Sequence, residues 1–248
     1  MPRTMRVLAR TMRAAARVKV LPPGALGAAS LLHDGVNDKT DCGGDASLAF
    51  AGAFTLIGWV LVPRTPQNYG GMVGRGNGAG SAGYGCFYRT TTGMWDWWVG
   101  TYNTRYARFQ IPPCKWCVVA LQTDGANEIA HVDGVKTTGI VWTGTGDPGT
   151  NFRFGIEDAG AAYGAVRLAN WWAYGRALSD AEVAAFRRNE AIDSTSVVSH
   201  WLMEEGAGAS VADTIGPNTG TITGATWSST ITPYKARTMR AAARVMVP

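Results

Sequence analysis

The stretch CVVALQTDGANEIAHVDGVKTTG, at residues 117–139, decides the fold class because it reads as three short strands joined by two tight turns. Asp124-Gly125 and Asp133-Gly134 each separate two runs of β-forming residues. An Asp-Gly pair in that position is the strongest short-range signal of a β-hairpin. The stretch therefore predicts three consecutive antiparallel strands.

The residues on both sides of this stretch continue the same pattern. Residues 53–62 (AFTLIGWVLV) form an apolar, β-rich run bounded by Gly52 and Pro63. Residues 84–100 (YGCFYRTTTGMWDWWVG) and 165–175 (AVRLANWWAYG) predict aromatic strands around turns. We expect an all-β fold in which antiparallel strands form a sandwich.

One helix interrupts this pattern. Ser179 and Glu182 match the Ser-x-x-Glu capping box, and Leu178 and Val183 stand at the positions of a hydrophobic staple. The sequence therefore predicts a short helix that begins after Ser179, with Val183 and Phe186 facing the body of the protein.

The composition describes one globular body with two different ends. The 248 residues include 32 Gly and 10 Trp, and no stretch approaches the ~18 apolar residues of a membrane span. Residues 1–24 and 231–248 together carry a charge of +10, whereas the remaining residues hold 13 basic and 18 acidic side chains. We predict an N-terminal basic arm (1–24), one domain (25–230) and a C-terminal basic arm (231–248).

The two arms share a repeat. RTMRAAARV occurs at 10–18 and again at 237–245, and RTMRVLA at 3–9 is a further copy of its first part. Two copies of one short motif predict two equivalent docking sites, and linked weak contacts raise avidity. The predicted arm contacts are Arg3, Met5, Arg6, Arg10, Met12, Arg13, Arg17, Arg237, Met239, Arg240 and Arg244.

Three segments resemble LamG-like, concanavalin A-like jelly-roll domains. They are LHDGVNDKTDCGGDASLAFAGAFTLIGWVLVP (32–63), WCVVALQTDGANEIAHVDGV (116–135) and VRLANWWAYGRALSDAEVAAF (166–186). A fourth segment, at 197–227, resembles one that precedes the others in many relatives. Its position here predicts a circular permutation, which a jelly roll tolerates when its first and last strands are close in space.

The resemblance implies carbohydrate binding, and in some relatives calcium binding. Candidate residues for stacking on a sugar are Trp95, Trp97, Trp98, Tyr102 and Tyr106, and the alternative is that alternating tryptophans fill the core. Candidate calcium ligands are Asp34, Asp38, Asp41 and Asp45, although their spacing does not match an EF-hand and solvated loop acids are the alternative. Apart from this candidate calcium site, we expect no cofactor and no metal.

The sequence offers no catalytic constellation. A glycosidase needs two carboxylates about 5–9 Å apart across a cleft, and Glu204-Glu205 would point to opposite faces of a strand. The histidines His33, His131 and His200 are far apart in sequence. We therefore predict a protein that is not an enzyme.

Two functions remain after these exclusions. Short Arg-containing repeats beside a LamG-like domain resemble structural proteins of tailed bacteriophages, which implies a capsid decoration or head-associated protein, oligomeric, located in the virion and anchored to capsid subunits. The alternative is a secreted or virion-borne lectin that binds a polysaccharide. Nucleic acid is a weaker candidate partner, because the arms lack interleaved aromatic residues.

Overall fold

The computed structural model describes residues 29–76, 82–100, 106–141, 148–156 and 162–229, and both arms and the domain limits at 25 and 230 lie outside them. Two antiparallel sheets of eight strands and a single α-helix make up these residues. The prediction of an all-β sandwich with one short helix is therefore confirmed. No helix among them is long and apolar enough to cross a membrane.

Sheet I contains the stretch that decided the fold class. Its strand order is β10-β9-β8-β3-β12-β1-β16, and β13 also pairs with β12. The strands are β1 (Ser30–Asp34), β3 (Phe54–Leu61), β8 (Cys117–Thr123), β9 (Asn127–Val132), β10 (Val135–Val141), β12 (Ala165–Tyr174), β13 (Val197–Trp201) and β16 (Thr226–Ser228). Both predicted Asp-Gly turns join neighbouring strands here, with Gly125 at φ +88° and Gly134 at φ +87°.

Sheet II has the strand order β14-β15-β2-β11-β4-β5-β6-β7. Its strands are β2 (Lys39–Asp41), β4 (Gly71–Gly76), β5 (Gly83–Arg89), β6 (Met94–Val99), β7 (Ala107–Phe109), β11 (Arg153–Phe154), β14 (Ser210–Val211) and β15 (Gly220–Thr223). A 3₁₀ turn at Ala46–Leu48 connects β2 to β3 across the two sheets.

The displaced segment at 197–227 is built into both sheets. It supplies β13 to sheet I, β14 and β15 to sheet II, and most of β16, which pairs with β1. Strands β1 and β13 lie end to end along the same edge of β12, with Leu31 opposite Leu168 and Trp201 opposite Trp171. The circular permutation itself stays a prediction.

The core between the sheets is aromatic. Trp97, Phe152, Phe154, Trp171 and Trp201 are fully buried there. The rings of Phe152 and Trp201 are stacked 5.2 Å apart, and Phe154 meets Trp171 edge-on at 5.6 Å. Such pairs add to the stabilisation that the buried area alone provides.

The helix α1 (Asp180–Arg187) closes the outer face of sheet I. Ser179 accepts a hydrogen bond from the Glu182 backbone N–H, and the Glu182 carboxylate accepts one from the Ser179 backbone N–H, so the predicted capping box is confirmed. Val183 and Phe186 are buried as predicted, in a second apolar cluster that includes Trp59 and Val118. Sheet I therefore packs on one face against sheet II, and the helix covers part of its other face.

Close packing against Trp171 explains the glycine in the middle of β3. A Cβ atom added to Gly58 would lie 2.5 Å from the Trp171 ring, which is closer than any real contact. We predict that Gly58→Ala lowers the free energy of unfolding by about 1–3 kcal/mol in urea denaturation, because the core would be overpacked. Gly52→Ala is the matched control: no atom lies within 4 Å of its added Cβ, and we expect a change within about 0.5 kcal/mol. Equal stability of the two variants would contradict this packing.

Candidate functional site

The alternation of side chains along β6 places Trp95 and Trp97 on the opposite face of the strand from Asp96. Trp95 and Trp97 lie in the core between the sheets, while Asp96 and Trp98 face the other side of sheet II. All three tryptophans are buried, with exposures of 2%, 0% and 1%. The prediction that these rings form a sugar platform is wrong, because in this structure no ring face is open to solvent. The alternative, that they are packing residues, fits the burial.

The outer face of sheet II carries instead a buried carboxylate between two arginines. The Asp96 side chain is 0% exposed, and Arg89 Nε donates to its Oδ2 at 2.8 Å while Arg108 Nε donates to its Oδ1 at 2.9 Å. Arg89 comes from the neighbouring strand β5, and Arg108 stands directly opposite Asp96 on β7. A buried charge requires such partners, because leaving it unpaired would cost several kcal/mol (about 3–5).

Aromatic rings surround the Arg89 guanidinium. Its central carbon lies 5.5 Å from the centre of the Tyr69 ring, 5.3 Å from Phe87 and 5.2 Å from Tyr106. The Arg108 guanidinium also lies 5.1 Å from the Tyr106 ring. Cations at these distances from aromatic rings are attracted to them. We call the six residues Tyr69, Phe87, Arg89, Asp96, Tyr106 and Arg108 the Asp96 cluster.

Neighbouring groups in the cluster shift the pKa values of Arg89 and Tyr106. Burial alone would lower the pKa of Arg89, but the hydrogen bond and the charge of Asp96 raise it above its usual value. Burial raises the pKa of the Tyr106 hydroxyl, although the nearby Arg89 opposes the shift. Arg89 is therefore cationic and Tyr106 neutral over the physiological pH range, and the cluster contains two arginines and a single carboxylate.

Two members of the cluster are largely exposed to solvent. Tyr69 is 41% exposed, and the Arg108 side chain is 42% exposed. Tyr69 precedes β4 at φ +57°, and its backbone N–H donates to the Tyr88 carbonyl at 2.7 Å, which fixes the ring beside Phe87. An incoming molecule can therefore touch an aromatic face and a guanidinium that the Asp96 carboxylate already orients.

Several predicted residues cannot be placed. Tyr102 lies outside the described residues, as do all the predicted arm contacts. Tyr106 is placed in the Asp96 cluster, half-buried beneath the arginines rather than in a row with the tryptophans. Of the five predicted sugar contacts, Tyr106 alone among those described belongs to the cluster.

The four candidate calcium ligands serve separate structural roles. Asp34 accepts from the Val36 N–H, Asp38 accepts from the Asp34 N–H, and Asp45 caps the 3₁₀ turn through the Ser47 N–H. Asp41 pairs with Arg153 Nε at 2.9 Å. Burial acts to raise the pKa of the Asp41 carboxyl, but the hydrogen bond and charge of Arg153 outweigh it, so this pKa lies below its usual value. In the part of the chain that the structure describes, no three His, Cys, Asp or Glu side chains come together as metal ligands.

The three histidines lie in different environments. Burial lowers the pKa of His33 to about 4, and its Nε2 lies 3.1 Å from Thr40 Oγ1. His131 is buried near Asp180 of α1, with an Nε2–Oδ1 distance of 3.8 Å. His200 stacks on Trp172 with ring centres 3.8 Å apart, and burial lowers its pKa to about 4 as well. Neutral imidazoles at these positions contribute to packing and local hydrogen bonding.

Sequence reasoning missed five members of the cluster: Tyr69, Phe87, Arg89, Asp96 and Arg108. A signal was present in β6, where Asp96 stands between Trp95 and Trp97 in an otherwise apolar strand. An acid in such a strand needs a basic partner nearby. Arg89, across the predicted turn from Asp96, was the nearest candidate.

Comparisons with known proteins place the fold in a family. The family model of the concanavalin A-like lectin/glucanases superfamily matches residues 34–184. Because this match covers more than half of the chain, the protein belongs to that superfamily. A comparison with curated protein sequences finds no match.

Solved structures share the fold at low sequence identity. A candidate carbohydrate-binding protein from Bacteroides ovatus superposes with a TM-score of 0.57 at 13% identity, over 84% of this chain and 61% of the other. Domain 4 of an extracellular GH43 arabinanase from Geobacillus stearothermophilus, solved with arabinotriose, gives a TM-score of 0.45 at 16% identity over 57% of this chain and 69% of the other. A Trypanosoma rangeli sialidase gives 0.43 at 21% identity over 55% of this chain, which spans 22% of the sialidase. The chain thus spans less than two thirds of the length of the Bacteroides ovatus protein and of the sialidase.

Proposed function

We propose that the protein is a carbohydrate-binding module and that the Asp96 cluster on the outer face of sheet II is its binding site. The observation that carries the proposal is the exposed Tyr69 ring beside an arginine pair fixed by a buried carboxylate. A sugar ring offers an apolar face of C–H groups and a rim of hydroxyls. Binding sites commonly combine an aromatic surface with a few fixed polar groups in this way.

Membership in a superfamily of lectins and glucanases supports this proposal, as does the description of the Bacteroides ovatus protein as carbohydrate-binding. Between the two branches of the superfamily we favour binding without catalysis. Both Asp96 oxygens accept hydrogen bonds from arginine Nε groups, so this carboxylate positions cations and is a poor acid or base.

A glycan array with Tyr69 variants tests the site. We predict that Tyr69→Ala binds the glycan selected by the wild-type protein about ten-fold more weakly, because the aromatic surface is lost. Tyr69→Phe is the matched control and should retain most of the affinity, since it keeps the ring. Circular dichroism should show that both variants are folded. Binding that survives unchanged in Tyr69→Ala would place the glycan elsewhere.

The repeated arms support a further role, which we propose for the full chain: they anchor the sandwich to capsid subunits of a virion, where the sandwich would be displayed as a decoration or head-associated protein. The support is the sequence repeat at 10–18 and 237–245. This proposal includes homo-oligomerisation and a location on the virion surface. If the protein acts only as a lectin, we propose instead that it is secreted.

Deletion of residues 1–24 and 231–248 tests the anchoring role. We predict a soluble, folded body, because both sheets and the aromatic core lie between residues 29 and 229. This body should no longer co-sediment with virions, and glycan binding should be unchanged. An armless body that still decorates particles would show that the arms are not the anchor.

A further inference from the structure

The charge of the outer face of sheet II differs in sign from that of the whole body. Residues 25–230 carry 13 basic and 18 acidic side chains, a net charge of −5. On the strands of sheet II, the described charged residues that face away from the core are Lys39, Asp41, Arg89, Asp96, Arg108 and Arg153. Four are basic and two are acidic, so this face has a net charge of +2 on an acidic body.

The Asp96 cluster uses only part of the Arg108 guanidinium. Asp96 binds both arginines through Nε, and among the described residues no hydrogen bond is formed by the two Nη groups of Arg108. An edge formed by two guanidinium nitrogens matches the two oxygens of a carboxylate. With its side chain 42% exposed, Arg108 can present that edge to a ligand while Asp96 holds it in position.

The aromatic residues indicate what the carboxylate is attached to. Tyr69 is exposed beside Arg89, and Arg89 is in turn next to Tyr106, which contacts Arg108. A small inorganic anion would use the arginine but not the Tyr69 ring. A sugar that bears a carboxylate can use both, because its ring stacks while its acid group pairs with the guanidinium.

We infer that the Asp96 cluster recognises a carboxylate-bearing sugar, such as a uronic or sialic acid residue of a glycan chain, with Arg108 as its specificity-determining contact. This inference rests on the proposed function and specifies the class of glycan. Asp96 and Arg89 are positioning residues: Asp96 orients both guanidinium groups, and Arg89 adds positive charge beneath the aromatic surface.

The test compares acidic glycans with neutral glycans of the same backbone. The full-length protein is titrated with oligogalacturonate and its methyl ester, hyaluronan oligomers and their carboxyl-reduced form, and a sialylated and a desialylated lactosamine. We expect at least one acidic probe to bind about ten- to a hundred-fold more tightly than its neutral partner, with an affinity that falls as salt is raised.

Arginine variants locate the effect. Arg108→Gln, shown to be folded by circular dichroism, should remove the preference for the acidic probe, with the affinity for it falling by about ten- to a hundred-fold. Arg188→Gln is the matched control: it removes the same charge from an exposed residue at the end of α1, on the far side of sheet I, and should leave binding unchanged.

The outcomes distinguish the inference from the proposed function. Equal binding of acidic and neutral probes, with both weakened by Tyr69→Ala, would overturn the acidic preference and leave a neutral glycan site. An acidic preference that survives in Arg108→Gln would also overturn the inference. Failure to bind any glycan would contradict both.

Discussion

The two faces of strand β6 are the constraint on which the rest of the structure depends. Successive side chains of a strand point to opposite sides, so Trp95 and Trp97 can enter the core only if Asp96 leaves it. A slip of one residue in register would bury Asp96 among the tryptophans and expose both rings. The turn between β5 and β6 prevents this slip: Gly93, at φ +67°, donates its N–H to the Arg89 carbonyl at 2.9 Å.

That register also builds the site. The same turn that sets the pairing of β5 with β6 places Arg89 within reach of Asp96, and the pairing of β6 with β7 places Arg108 opposite it. The arginines are needed for stability because a fully buried carboxylate is costly without them. In the site that we propose, this fixed orientation lets Arg108 donate to a ligand with little loss of conformational freedom on binding. Core packing and the proposed recognition therefore both depend on one strand register.

Much of the fold could be predicted because its signals are local. The Asp-Gly turns, the capping box of α1 and the apolar runs of β3 and β12 each depend on residues close together in the sequence. The site depended on pairing between strands, which the sequence does not display. A row of aromatic residues reads alike whether it faces the core or solvent, so the tryptophans of β6 were plausible sugar contacts until burial was known. Tyr69, in a glycine-rich stretch, carried no such signal.

Mapping of backbone amide chemical shifts during titration with the acidic probe that binds most tightly tests the central claim most directly, because it reports which face of the sandwich a glycan touches. With the glycan on the outer face of sheet II, we expect shifts along β5, β6 and β7 and at Tyr69, with α1 and β13 unchanged. Shifts confined to sheet I and α1, or no shifts at saturating ligand, would contradict it.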